Sequence, residues 1–163
     1  MSDRRNLRYS TLQIALHWGV FLLFIFNYIV SDGMGRALHQ KFDGTEVAGV
    51  VPAVHPPVGI AILVLMLIRL LVRWRQGAPE GPASGHPLMD RAAHWAHLGL
   101  YALLLAIPVT GLAAWQFGIF LSGDLHGLLA NVAVALVALH AAAALFHQYV
   151  LKDNLLARMK PGR

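Results

Sequence analysis

Four long apolar runs, separated by shorter polar segments rich in Gly and Pro, organise the 163 residues of this chain. The first is 12–30 (LQIALHWGVFLLFIFNYIV), the second roughly 55–74 (opening HPPVGIAILVLM), the third roughly 94–116 and the fourth roughly 126–151. A bilayer core of about 30 Å is crossed by about 20 apolar residues wound as an α-helix, and each run reaches that length. The pattern predicts an all-α fold, a four-helix transmembrane bundle forming a single membrane domain over 1–163. Pro56 and Pro57 fit a first helical turn, where a missing N–H costs little. Pro108 lies inside the third run and is expected to kink it, which membrane helices accept. The segment 76–90 (QGAPEGPASGHPLMD) should be irregular. The first run follows Arg4, Arg5 and Arg8, as a signal peptide would. It is too long for a signal h-region and lacks a clean small-residue cleavage site after Val30, so it is expected to remain a membrane span.

Composition agrees with this pattern. Hydrophobic residues make up 57% of the chain and charged residues 13%, against about 25% charged in a soluble domain. The net charge of +5 does not point to nucleic acid, because the basic residues cluster at the ends of the apolar runs. With four spans, both termini and the 75–93 connection share one side. That side carries Arg4, Arg5, Arg8, Arg69, Arg73, Arg75, Arg91, Lys152, Arg158, Lys160 and Arg163, and the other carries Arg36 and Lys41. By the positive-inside rule the termini are cytoplasmic and the loops 31–54 and 117–125 are outside, which would be the periplasm for the inner membrane of a Gram-negative bacterium. The absence of cysteine excludes disulfides, iron–sulfur clusters, thiolate chemistry and C-x-x-C-H haem attachment.

Nine histidines in so apolar a chain carry the chemical signal, because ionisable groups within a membrane are costly and default to functional roles. His126 and His140 are 14 residues apart on the fourth run, which returns them to within about 40° of one face and separates them by roughly 21 Å. Ala133 lies midway on that stripe. The first run travels outward with His17 in its first third, at the depth of His140. The second travels inward with His55 at its opening, at the depth of His126. Two pairs follow: His17 with His140 near the cytoplasmic side, and His55 with His126 near the periplasmic side. Two histidines at one depth on opposing helices can hold a single haem iron between them, six-coordinate and suited to electron transfer. Gly19, Gly59 and Gly127, close to these histidines, leave room for a flat macrocycle. Arg69, 14 residues after His55, is placed to meet a haem propionate; alternatively it is a snorkelling, positive-inside arginine. A single membrane histidine can also be a plain interhelical hydrogen-bond donor. No carboxylate lies within the runs to complete a zinc or non-haem iron shell.

Of the remaining histidines, His94 and His97 open the third run, with Tyr101 on the same face, and His147 lies seven residues past His140. His147 and His97 are candidates for a quinone site, since quinone carbonyls need donors and quinone reduction needs protons. His94 reads as interfacial. His39 and His86 fall in loops and should be solvated. Trp18 and Trp95 fit an interfacial belt.

The segments YSTLQIALHW (9–18), GIAILVLMLIRLLVR (59–73), AHWAHLGLYALLLAIPVTGL (93–112) and LHAAAALFHQYVLKDNLLARM (139–159) make the chain resemble the bacterial cytochrome b561 family over nearly its whole length. The resemblance implies two haem b groups in a four-helix bundle, with iron ligands at His17, His55, His126 and His140. Within the family the chain is most similar to the superoxide oxidase type, which implies transfer of electrons from periplasmic superoxide to ubiquinone, with His147 and His97 matching the quinone surroundings. The outer loop 116–125 (QFGIFLSGDL) departs from that type in being shorter. Arg36, His39 and Lys41 could supply positive charge to steer an anion there. The competing expectation is a cytochrome b subunit that relays electrons from a partner dehydrogenase or hydrogenase to quinone.

Overall fold

The computed structural model describes residues 9–77, 79 and 87–160; Arg4, Arg5, Arg8, His86 and Arg163 lie outside them. Among the described residues five α-helices follow in order: α1 (Thr11–Ile29), α2 (Met34–Phe42), α3 (Val50–Gln76), α4 (Pro87–Phe117) and α5 (Phe120–Phe146). A π-helical turn (His147–Leu151) and a 3-10 turn (Leu155–Met159) close the chain. α1, α3, α4 and α5 with its π turn are each long and apolar enough to cross a membrane. Large apolar side chains such as Leu22, Ile29, Leu67, Leu128 and Leu139 are exposed on their outer surfaces. That distribution suits lipid, which solvates these side chains as well as a protein core does.

Local chemistry sets the ends of α1. Ser10 and Gln13 form a reciprocal capping box over the first turn, satisfying two donors that a helix start leaves unpaired. The same two residues reach the end of α3, where Ser10 Oγ donates to Gln76 Oε1 at 2.7 Å and Gln13 Nε2 donates to the Gly77 carbonyl at 2.8 Å. α1 and α3 are thereby clamped antiparallel. At the other end, Gly33 at φ 88° makes the left-handed step that L side chains avoid, and α2 turns back across the bundle mouth. α2 is fastened there by Lys41, which donates to the Trp115 carbonyl at 2.5 Å and sits 4.4 Å from the centre of the Trp115 ring.

The buried core is a single layer at mid-height. Val20 and Phe24 of α1, Ile62 and Met66 of α3, Ile107 of α4 and Ala133 of α5 meet there. Ala133 is fully buried, and its small side chain admits the bulk of the other five. Above and below this layer the helices are less evenly packed. α4 lies close along α5, α1 along α3, and α3 along α4. α5 has no such close approach to α1 or α3, the two helices that carry its partner histidines.

Several boundaries differ from the sequence expectation. α3 begins at Val50, so His55, Pro56 and Pro57 lie beyond its first turn; the run Val50–Val54 is apolar enough to continue the helix outward. α4 begins at Pro87 and α5 at Phe120, which places His94, His97 and His126 inside helices. α4 runs on through Pro108. The segment 31–54, expected as an external loop, holds a helix, so His39 is helical. It stacks on Phe120 with ring centres 4.8 Å apart and lines a cavity.

Candidate functional site

The end of the bundle covered by α2 contains a cavity of about 740 Å³, lined among others by Asn27, His55, Gly59, Gly111 and His126. Cofactor pockets span roughly 300–1,000 Å³. His55 and His126 face each other across it, ring centres 5.9 Å apart and planes at 77°. Both rings are oriented by main-chain carbonyls. His126 Nδ1 lies 2.7 Å from the Ile107 carbonyl and His55 Nδ1 lies 3.1 Å from the Asn27 carbonyl. A carbonyl can only accept, so each Nδ1 carries the proton and each Nε2 keeps a free lone pair. That is the orienting bond metal-ligating histidines commonly make.

Helix-end chemistry makes the Asn27 carbonyl available. α1 ends at Ile29, and the last carbonyls of a helix lack helical partners. Val30 N–H caps Phe26 O, while Ser31 N–H turns to Tyr28 O, so Asn27 O is left for His55. On α4, Gly111 is required by close approach. A Cβ there would stand 2.8 Å from His126 Nδ1, inside van der Waals contact.

At the other end, His17 and His140 have ring centres 6.4 Å apart with planes at 60°. His97 packs on the side of His140, centres 5.1 Å apart, and Trp18 packs edge-on against His17 at 5.4 Å. Arg69 and Arg73 lie 5.4 and 5.8 Å from the centre of the Tyr101 ring. The Arg69 charge is within electrostatic reach of His17, His97 and His140. His17 Nδ1 is buried without a partner.

The two pairs suit a metal group held between two imidazoles. A ring nitrogen binds a first-row metal at about 2 Å and the ring centre lies about 1.1 Å behind it, so one iron between two rings requires centres about 6 Å apart. Both pairs are near that separation, and both bridge helices that stand off from one another, as an inserted macrocycle requires. Among the described residues, no three of His, Cys, Asp and Glu converge to enclose a metal by themselves. The only buried side-chain polar atoms without partners, among the described residues, are His17 Nδ1 and Asn27 Oδ1, one at each end of the bundle.

His147 lies beyond the His17–His140 pair, in the π turn, and its Nδ1 is 2.5 Å from Asp153 Oδ2. This partner was not foreseen in the sequence. The contact needs the chain to reverse through Lys152 and Asn154, both left-handed at φ 57°. The Leu155 N–H also donates to Asp153 Oδ1 at 3.1 Å. Partial burial works against the Asp153 charge, but the bonds from His147 and Leu155 and the nearby Arg158 outweigh it and hold the carboxyl below its ordinary value of 3.8. Trp18 has a role that was also missed: its indole N–H donates to the Met159 carbonyl at 3.3 Å and ties the final 3-10 turn to α1. His94 packs against Trp95 on the exposed start of α4.

A four-span bundle with one opposed histidine pair towards each end is the architecture of a membrane cytochrome b. The family model described as prokaryotic cytochrome b561 matches residues 8–162, and the chain belongs to that family. It is 43% identical over 156 residues to cytochrome b562 of Cereibacter sphaeroides, covering 95% of this chain and 96% of the relative. It is 36% identical over 179 residues to a probable superoxide oxidase, CybB, of Yersinia pestis, covering 96% and 97%. It is 32% identical over 177 residues to cytochrome b561 homolog 1 of Escherichia coli K12, covering 96% and 98%. The chain is thus a multi-pass membrane electron-transfer protein of a family whose cofactor is haem b.

Proposed function

We propose that the protein carries two haem b groups and passes electrons from superoxide on the periplasmic side to ubiquinone in the membrane, with its termini in the cytoplasm. The observation that supports this most is the pair of histidine couples at cross-iron separation, one above and one below the packed middle layer. His55 and His126 would hold the outer group and His17 and His140 the inner one. Bound haem supplies one-electron chemistry at its iron. The residues hold it, orient it and set the charge around it.

Each side chain then has a definable task. Ile107 and Asn27 carbonyls fix the outer imidazoles with Nε2 inward. His97 buttresses His140, and Arg69 places a positive charge beside the inner pair and is suited to a propionate. That charge favours an electron at the inner site and so favours inward flow. His147 with Asp153 forms a donor–acceptor couple near the cytoplasmic surface, where ubiquinone needs two protons along with two electrons. Asp153 fixes the ring through its hydrogen bond to Nδ1, and His147 can deliver a proton.

A second reading, in which a protein partner donates the electron, draws support from the charge at the outer mouth. The external segments carry Asp32, Asp43, Glu46 and Asp124 against Arg36 and Lys41. Asp32 and Asp124 line the outer cavity, and the Lys41 ammonium is engaged by Trp115. An acidic mouth slows a small anion and attracts a basic protein surface.

The purified protein should show a Soret band and two haems per chain by pyridine haemochromogen. It should then reduce ubiquinone when superoxide is generated enzymatically. Two haems with a rate equal to the protein-free background would reject superoxide as donor and leave the relay reading. Absence of haem would reject both.

A further inference from the structure

Asn27 sits two residues from the outer end of an otherwise apolar membrane helix and is 93% buried, its exposure being 7%. Asn27 is among the residues that line the outer cavity, and its side-chain Oδ1 is buried with no hydrogen-bond partner. The nearest comparable groups are satisfied: Tyr28 donates to Asn131 Oδ1 at 2.8 Å, and Ser122 Oγ donates to the Thr110 carbonyl at 2.9 Å. The amide leans towards α3 at Gly59, where an added Cβ would lie 3.8 Å from Asn27 Nδ2. An unmet amide buried in a membrane helix is costly. Leu or Val would fill the position at no such cost, so its presence calls for a polar partner that the protein chain does not supply.

We propose that the Asn27 side chain is a direct hydrogen-bonding partner of a haem carboxylate at the outer site. This rests on the di-haem reading above. The main chain of Asn27 already orients His55, so one residue would govern both the axial ligand and the edge of the same group. The terminal amide torsion is broad and two-fold, so either its NH₂ or its oxygen can turn to the cavity, the former to an ionised carboxylate and the latter to a protonated one. Reduction adds negative charge to the site. An NH₂ donor that shares the carboxylate's charge makes that addition easier, so Asn27 raises the potential of the outer haem.

The test uses the purified full-length protein. Asn27→Leu keeps the volume and removes both polar ends; Asn27→Gln keeps the amide. Haem content is measured by pyridine haemochromogen, the two potentials by optical redox titration, and the carboxylate bands by resonance Raman. In Asn27→Leu the outer potential should become more negative and its propionate bending band should shift, with the inner haem unchanged. Asn27→Gln should lie between it and the unmodified protein. If Asn27→Leu fails to keep the outer haem, the decision passes to Asn27→Ala, which removes the amide without adding bulk: a displaced outer band and potential there support the proposal, and unmodified values overturn it. Unaltered band and potential in Asn27→Leu with two haems bound would overturn it directly. Fewer than two haems in the unmodified protein would instead reject the di-haem reading, so the two failures are distinguishable.

Discussion

His55 on α3 and His126 on α5 face each other with ring centres 5.9 Å apart, although the two helices do not pack closely. Each ring is held by a carbonyl from yet another helix, Asn27 on α1 and Ile107 on α4. All four spans therefore cooperate to aim one pair of nitrogens. On the proposed di-haem reading, replacing either histidine should remove the haem at this end and spare the other. In His126→Ala the haem content should fall from two per chain to one, with the surviving potential that of the inner site. The complementary His140→Ala should spare the outer site.

Gly111 offers a more delicate perturbation. In Gly111→Ala the new Cβ stands 2.8 Å from His126 Nδ1, the atom that the Ile107 carbonyl already pins. Overpacking of this kind costs about 1–3 kcal/mol. We expect partial loss of the outer haem and a lower melting temperature of the holoprotein. Gly99→Ala on the same helix meets only Leu136 Cδ2 at 3.4 Å and should leave both quantities near their unmodified values.

Arg69 is the arginine whose charge acts on both His17 and His140. Arg69→Leu should lower the inner haem potential by an amount equivalent to about 1–2 kcal/mol, the scale of a unit charge close by in a partly screened interior. The outer potential should stay constant. A redox titration of both haems reads the difference, and the slower quinone reduction that follows is a secondary check.

His147 and Asp153 should separate proton delivery from haem binding. His147→Gln should lower quinone reduction on the order of 100-fold, the scale of a lost general acid, with haem content intact. Asp153→Asn should lower it by a smaller factor, because His147 keeps a neighbouring side-chain oxygen but loses the carboxylate that fixes its ring. Stability carries a second signature. Asp153 is held below its ordinary value of 3.8, so its contribution is present above that pH and is lost as pH falls through the folded value. The melting-temperature gap between the unmodified protein and Asp153→Asn should therefore be widest near neutrality and close in acid.

The acidic mouth gives a kinetic prediction. Asp32→Asn combined with Asp124→Asn should speed reduction by superoxide, and added salt should shrink the gain. With a basic protein as donor the same double substitution should slow reduction instead. Stopped-flow rates at several ionic strengths distinguish the two.

The amino-acid sequence alone determined the four spans, because a chain in lipid must satisfy its backbone within each segment and apolar length then means helix. It also set the depth of each histidine, since rise per residue and alternating direction are properties of single helices. Pairing by depth needed nothing more, and His17 does face His140 as His55 faces His126. Tertiary structure decided how each helix is rotated and which neighbours it stands away from. It freed the Asn27 carbonyl through the frayed end of α1, and it put Gly111 beneath His126. It folded the 31–54 segment into α2, so that Lys41 is spent on Trp115 and His39 stacks on Phe120. It brought Asp153 back to His147 through two left-handed residues. These are contacts between groups distant in space or held by turn geometry, and no periodicity along the chain encodes them.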